Sequence, residues 1–149
     1  MARFPGSAVI VGEALAAATQ ETVIQLIGAT NHRVVITGYG SGTRGTSNTD
    51  TPGQVDIQRQ TTAGTSSALT LVKVDDSIAE SLVTTALQDF TAEPTSTDLL
   101  RRHNVHPQAG IDIRDAYSRE LILGGGDRLG MRLTYAQAQT ADCYIDFEE

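Results

Sequence analysis

The sequence of 149 residues is short of residue types on which several classes of protein depend. It contains one cysteine, no tryptophan and only 5% aromatic residues. A single cysteine excludes an intrachain disulfide and a cysteine-based metal centre, and it indicates folding in a reducing compartment. The scarcity of aromatic side chains disfavours a nucleic-acid stacking platform and an aromatic sugar-binding cleft.

Positive charge and long apolar runs are also scarce. Eleven Lys and Arg residues stand against 18 Asp and Glu residues, so the formal net charge is −7 at pH 7. Because recognition of a nucleic-acid backbone requires basic side chains to neutralise phosphates, we expect no nucleic-acid partner. No apolar run approaches the length that spans a membrane, and Pro5, Gly6 and Glu13 interrupt any secretory signal at the N-terminus. We therefore expect no membrane partner.

The 40% of residues that are hydrophobic lie in short runs separated by turn-forming residues. Runs such as "QVDIQRQTT", "AGIDIRDA" and "DCYIDFEE" alternate apolar and polar side chains, which is the pattern of strands with one buried face. The crossover helices that a parallel sheet needs are missing. The pattern predicts an all-β protein, an antiparallel β-sandwich or jelly roll of about eight strands.

One segment, "SIAESLVTTAL", favours a helix. Ser77 is placed to cap it, Glu80 follows three residues later as in a capping box, and Ile78 and Leu82 share a helical face. We therefore predict at most one short helix. The length fits one domain, so we assign residues 20–149 to a single β-sandwich domain and residues 1–20 to an extended N-terminal arm.

Two glycine-rich stretches resemble phosphate-binding loops. Residues 40–45, "GSGTRG", match G-x-G-x-x-G, but the following "TSNTDTPGQ" cannot form the helix whose N-terminus holds a pyrophosphate. Residues 121–135, "LILGGGDRLGMRLTY", lack the helix and the lysine of a phosphate loop. Their glycines tolerate positive φ and predict the tight turn of a β-hairpin. We expect no cofactor.

The remaining candidates for chemistry are histidines, carboxylates and the cysteine. His103 and His106 are three residues apart, which on a strand places them on opposite faces, and Pro107 argues against a helix, so we expect no metal site. Among the 18 carboxylates no pair stands out as a glycosidase pair. Cys143 lies on the apolar side of its strand and is expected in the core. We predict no catalytic residues and a protein that is not an enzyme.

Four phrases, in order, carry a resemblance to a known group. "RQTTAGTSSALTLVK", "TAEPT", "RRHNVHPQAGIDI" and "LGGGDRLGMRLTYAQ" resemble small virion structural proteins of tailed bacteriophages, of the capsid decoration (cement) type. The resemblance extends from near Val34 to the C-terminus. It implies a β-sandwich or jelly-roll subunit that assembles on the phage head, commonly as a homotrimer at capsomer junctions, and reinforces the shell of major capsid protein. It implies no catalytic residues.

The residues and the resemblance together predict a structural protein on the capsid surface of a virion, made in the host cytoplasm. Its partners are then the major capsid protein and further copies of the chain. The alternative is a carbohydrate-binding or host-adhesion module on the head or tail, for which Tyr39 and Tyr144 are the candidate contacts.

Two sets of residues are predicted to lie at interfaces. On the N-terminal arm, Arg3, Phe4 and Pro5 form an extended segment with an apolar anchor that reaches a neighbouring subunit. On the strand after the glycines, Arg128 and Arg132 point away from the apolar face and towards a partner.

Overall fold

Two six-stranded antiparallel sheets pack as a β-sandwich in the computed structural model, which describes residues 4–45 and 50–149. The all-β prediction is confirmed, although the strands number twelve rather than about eight. In chain order they are β1 (Pro5–Leu15), β2 (Gln20–Ile27), β3 (Val34–Thr43), β4 (Gly53–Gln60), β5 (Thr65–Leu69), β6 (Val72–Lys73), β7 (Thr85–Ala92), β8 (Ser96–Val105), β9 (Ile111–Arg114), β10 (Leu121–Leu123), β11 (Arg128–Thr134) and β12 (Gln139–Glu148).

The two sheets are built from strands that are distant in the sequence. Sheet A has the order β10, β3, β12, β1, β6, and β9 also pairs with β3. Sheet B has the order β5, β7, β2, β11, β4, β8. Successive strands therefore often lie in different sheets, as in β1 and β2 or β3 and β4.

Period-2 alternation decides which side chains form the core between the sheets. Along β12 every second residue is buried, from Gln139 to Phe147, and the residues between them are half-buried. The largest fully buried side chains include Tyr39, Tyr135 and Phe147. Full burial of an aliphatic side chain contributes roughly 1.5–3 kcal/mol, so this core is the main source of stability.

Residues 5–15 of the predicted N-terminal arm are instead a strand of the sandwich. β1 pairs with β12 from Pro5 to Leu15 and with β6 at Gly6 and Ser7. The physical reason is that Ala8 and Ile10 enter the core, where neither is more than 5% exposed. Residues 5–15 therefore belong to the β-sandwich, and a domain boundary at residue 20 does not separate them from it.

The predicted helix at residues 77–87 does not form, and none of the described residues is helical. The N–H and the hydroxyl of Ser77 both donate to the Asp75 carboxylate, at 2.9 and 2.6 Å, which makes a local turn. Further on, the Glu149 carboxylate accepts hydrogen bonds from the N–H groups of Val83 and Thr84, both at 2.8 Å. These contacts hold the segment extended as it enters β7.

The prediction of a β-hairpin at residues 121–135 is wrong, although a tight turn does lie between the two strands. β10 pairs with β3 in sheet A, whereas β11 pairs with β2 and β4 in sheet B. The turn therefore crosses between the sheets. Gly126, at φ +82°, donates to the Gly28 carbonyl at 2.8 Å, and Gly28 donates to the Asp127 carbonyl at 3.1 Å. These hydrogen bonds to Gly28, the residue after β2, hold the turn in place.

Candidate association surface

Arg128 and Arg132 lie on the outer face of sheet B, where both bind other residues of the same chain. Arg132 has only 14% of its side chain exposed, donates to the Ser96 hydroxyl and the Gln20 carbonyl at 3.3 Å each, and lies 3.6 Å from Glu93. Arg128 donates to the Gln25 side chain at 3.2 Å. The two arginines are thus part of an intramolecular network.

The centre of that network is Asp56, whose side chain is completely buried although it points away from the core. Arg102 donates to both of its carboxylate oxygens, at 2.7 and 2.6 Å, and Gln20 donates a third hydrogen bond at 2.9 Å. The hydrogen bonds to Asp56, and next its negative charge, raise the pKa of the Arg102 guanidinium. A buried carboxylate needs such partners to offset its desolvation.

Amide side chains continue the network across sheet B. Gln25 donates to Gln60 at 2.6 Å, and Gln60 donates to the Thr22 hydroxyl at 3.1 Å. The Glu93 carboxylate accepts from the Thr22 N–H at 3.0 and 3.1 Å and from its hydroxyl at 2.6 Å, where the pairing of β2 and β11 shifts. The sequence analysis did not predict this layer of polar side chains. Its one indication in the sequence is that polar residues occupy alternate positions of β4.

The predicted anchor at the N-terminus is also held by its own chain. Phe4 exchanges backbone hydrogen bonds with Glu149, at 3.0 and 3.1 Å, and the Lys73 ammonium lies 5.6 Å from the centre of the Phe4 ring. Pro5 begins β1. Arg3 lies outside the described residues.

Tyr39, His103 and His106 make hydrogen bonds within the fold. The Tyr39 side chain is fully buried and its hydroxyl is hydrogen-bonded to His103 Nε2 at 2.9 Å, which joins the two sheets. Burial, and next the charge of Asp115, raise the pKa of Tyr39 to about 12, against a smaller opposite effect of Arg101. His106 accepts from the Gln108 N–H at 3.2 Å in the turn after β8.

Tyr144 lies flat on the outer face of sheet A. Its hydroxyl donates to the Asp112 carboxylate, and the Arg114 guanidinium lies 5.6 Å from the ring centre. The ring crosses Gly40, where an added Cβ would come within 2.5 Å of it. Burial, followed by Asp112, raises the pKa of Tyr144 to about 12. The side chain is therefore fixed in place, and residues 40–43 of the glycine-rich motif are part of β3.

Four valines form the most apolar part of the outer face of sheet A. Along the margin of the sheet, Val9 and Val11 of β1 are 43% and 69% exposed, and Val72 and Val74 at β6 are 55% and 65% exposed. Val72 pairs with Ser7, and the Val74 N–H donates to the Pro5 carbonyl at 3.1 Å, so the four side chains follow one margin. We call them the valine strip.

The backbone beside the valine strip is an open strand edge. In the described residues, β6 covers only Gly6 and Ser7 of β1, and no strand pairs with that edge of β1 beyond them. The strand carries no charged residue from Pro5 to Gly12. Edge strands of this kind are templates for pairing with another chain.

Cys143 is in the core, as predicted, with 2% of its surface exposed. Burial, and next the charges of Asp142 and Glu13, raise the pKa of its thiol to about 12. Nowhere in residues 4–45 and 50–149 do three or more His, Cys, Asp or Glu side chains meet as a metal ion would require. The same residues contain no helix long and apolar enough to cross a membrane.

Comparison with known proteins gives no relative. No protein-family model matches the sequence, and neither the curated proteins nor the solved structures contain a match. The resemblance to phage decoration proteins therefore stays a prediction.

Proposed function

We propose that this chain is a structural protein of a tailed-phage virion, a capsid decoration protein that binds and stabilises the shell of major capsid protein. The observation that carries the proposal is the valine strip beside an open strand edge. Exposed apolar surface of this kind is typical of protein association. Many copies on one shell add their contacts, so each contact can be modest.

Ion pairs within the chain, on the outer faces of both sheets, support the same role. On sheet B, Arg102 donates to Asp56 at 2.6 Å and Arg132 lies 3.6 Å from Glu93. On sheet A, Arg114 donates to Asp146 at 2.6 Å and Arg44 donates to Asp142 at 2.8 Å. Beside these ion pairs, the valine strip offers exposed apolar surface to a protein partner.

Mass spectrometry of purified virions tests the proposal through the copy number of the chain relative to the major capsid protein. We expect hundreds of copies and saturable binding of the purified chain to expanded, empty heads. Val74→Lys should reduce that binding at least tenfold, whereas Leu99→Lys, at a position 48% exposed on sheet B, should not. A chain absent from virions, or one that ignores the heads, would refute the proposal.

The carbohydrate-binding alternative has Tyr144 as its remaining aromatic contact, because Tyr39 is in the core. The Tyr144 ring is half-buried beneath Arg114. Saturable binding on a glycan array, lost in Tyr144→Ala and kept in Val74→Lys, would favour this alternative over shell binding.

A further inference from the structure

We propose that the folded chain forms an ester bond between the side chains of Thr22 and Gln60, with the release of ammonia. The Thr22 hydroxyl is the nucleophile, the Gln60 side-chain amide is the electrophile and the Glu93 carboxylate is the general base. The inference goes beyond the proposed function and does not depend on it, because it concerns the covalent structure of the purified chain.

Thr22 and Gln60 lie on one face of sheet B although their strands do not pair with each other. β2 and β4 both pair with β11, which lies between them. The register of β2 against β11 shifts at Val23, and this bulge places Thr22 opposite Arg132. Gln60 is opposite Arg128 two pairs further along β11 on the same outer face. The bulge therefore turns Thr22 out of the core and towards Gln60.

A glycine lets the Gln60 side chain cross β11. At Gly130 an added Cβ would lie 2.3–2.4 Å from three atoms of the Gln60 amide group, so a larger residue there would displace it. Glycine inside a strand often marks such a close approach. The crossing brings the Gln60 amide nitrogen to 3.1 Å from the Thr22 hydroxyl, and the carbonyl carbon is one bond beyond that nitrogen. Holding two reacting groups together in this way removes much of the entropic barrier to their reaction.

The Thr22 hydroxyl is bound to a base. It donates to the Glu93 carboxylate at 2.6 Å, and the Thr22 N–H donates to both oxygens of that carboxylate, at 3.0 and 3.1 Å. A carboxylate at this distance can take the hydroxyl proton as the oxygen attacks. The Ser96 hydroxyl is also near the Gln60 amide nitrogen, at 3.4 Å, but it accepts from Arg132. Thr22 is therefore the nucleophile.

The Gln60 carbonyl oxygen is bound to a donor. Gln25 donates to it at 2.6 Å, and Arg128 fixes the orientation of the Gln25 amide by donating to its oxygen at 3.2 Å. A donor already in place stabilises the negative charge that develops on the carbonyl oxygen during attack. Thr22, Gln25 and Gln60 are at most 4% exposed, so the site excludes the water that would hydrolyse the ester.

The reaction balances without another reactant. A bond forms between Thr22 Oγ and the Gln60 carbonyl carbon as the hydroxyl proton passes to Glu93. The carbon–nitrogen bond of the Gln60 amide then breaks, and the nitrogen takes the proton from Glu93 and leaves as ammonia. Gln60 lines a polar cleft of about 310 Å³ with Thr97 and Arg128, through which ammonia reaches the solvent. There it becomes ammonium, and its dilution prevents the reverse reaction.

Mass spectrometry of the denatured chain tests the bond. After overnight incubation of the folded protein, we expect a mass lower by one molecule of ammonia than the sequence gives, with or without Met1. Thr22→Val and Glu93→Gln should keep the full mass, and cooperative urea unfolding shows that they fold. Thr22→Ser retains a hydroxyl and should still lose ammonia. Gln54→Ala, at a half-buried glutamine on the same strand, is the matched control and should lose it too.

Tandem mass spectrometry of a protease digest locates the bond. We expect two peptides joined through Thr22 and Gln60, which hydroxylamine separates by cleaving the ester. A cyclic imide at an asparagine also loses ammonia but joins no peptides. The full sequence mass in the parent protein overturns the proposal, as does a loss of ammonia that persists in Thr22→Val or one without joined peptides. A loss that persists in Glu93→Gln overturns the assignment of the base.

Discussion

The hydrogen-bonded pair of Arg102 and Asp56 offers the sharpest test of what stabilises sheet B. Asp56 is fully buried and Arg102 has 44% of its side chain exposed. In Arg102→Ala the carboxylate loses two charge-assisted hydrogen bonds and keeps those from Gln20 and Gln58. Breaking a buried pair costs about 3–5 kcal/mol, and the exposed arginine admits water, so we expect a loss of about 3 kcal/mol.

Thermal and urea unfolding measure this loss. For a chain of this size each kcal/mol lowers Tm by roughly 2–4 °C, so Arg102→Ala should melt about 6–12 °C below the parent protein. Arg59→Ala is the matched control, because Arg59 faces Asp127 at 3.8 Å with both side chains exposed, and such a pair contributes about 0–1 kcal/mol. Adding Asp56→Asn to Arg102→Ala should recover part of the stability by removing the buried charge. Equal melting of the two arginine variants would refute the reasoning.

Three further predictions concern single groups. Glu13→Gln should stabilise the protein by up to about 0.5 kcal/mol at pH 7, because the raised pKa of Glu13 means that the folded state resists ionisation of this carboxyl. The penalty is present above the pKa of Glu13 in the folded state and is absent below its pKa in the unfolded state. Urea unfolding at pH 7 and pH 3 checks the sign, with exposed Glu80→Gln as control. The Cys143 thiol, with its pKa near 12, should react with Ellman's reagent at pH 8 only as fast as the protein unfolds; rapid labelling of native protein would contradict its burial. Gly40→Ala should cost about 1–3 kcal/mol, because the new methyl meets the Tyr144 ring, and Gly42→Ala, where an added Cβ meets nothing, should cost less.

Strands were predictable where burial follows from the local pattern alone. β12 alternates without interruption and its buried set, including Cys143 and Phe147, agrees with the sequence. The predicted arm at residues 1–20 includes Pro5 and Gly6, residue types that weaken a strand interior. Pro5, however, is the first residue of its strand, where a missing N–H is tolerated. The difference depends on a neighbour, β12, that lies more than a hundred residues away in the chain.

The predicted hairpin at residues 121–135 failed for a related reason. Glycines can signal a tight turn, but they do not show whether the strands on either side pair with each other. Leu123 pairs with Val34 in one sheet and Arg128 pairs with Ile27 in the other. Partner choice was decided by long-range contacts, which leave no local signature. The polar layer is similar: Asp56 has the pattern of a solvated residue, and its burial comes from side chains of other strands, among them Arg102 and Gln20.

The open edge of β1 depends on where the chain runs before β6. "SAVIVGEAL" has the composition of a buried strand, yet β6 pairs with β1 only at Gly6 and Ser7. Because β6 runs antiparallel to β1, the residues that would have to pair with Ala8 and Val9 are Leu71 and Thr70, which precede β6 in the chain. The residue before them, Leu69, ends β5, which pairs with β7 in sheet B. The chain therefore crosses from sheet B to sheet A just before β6, and this crossing leaves the edge of β1 open beyond Ser7.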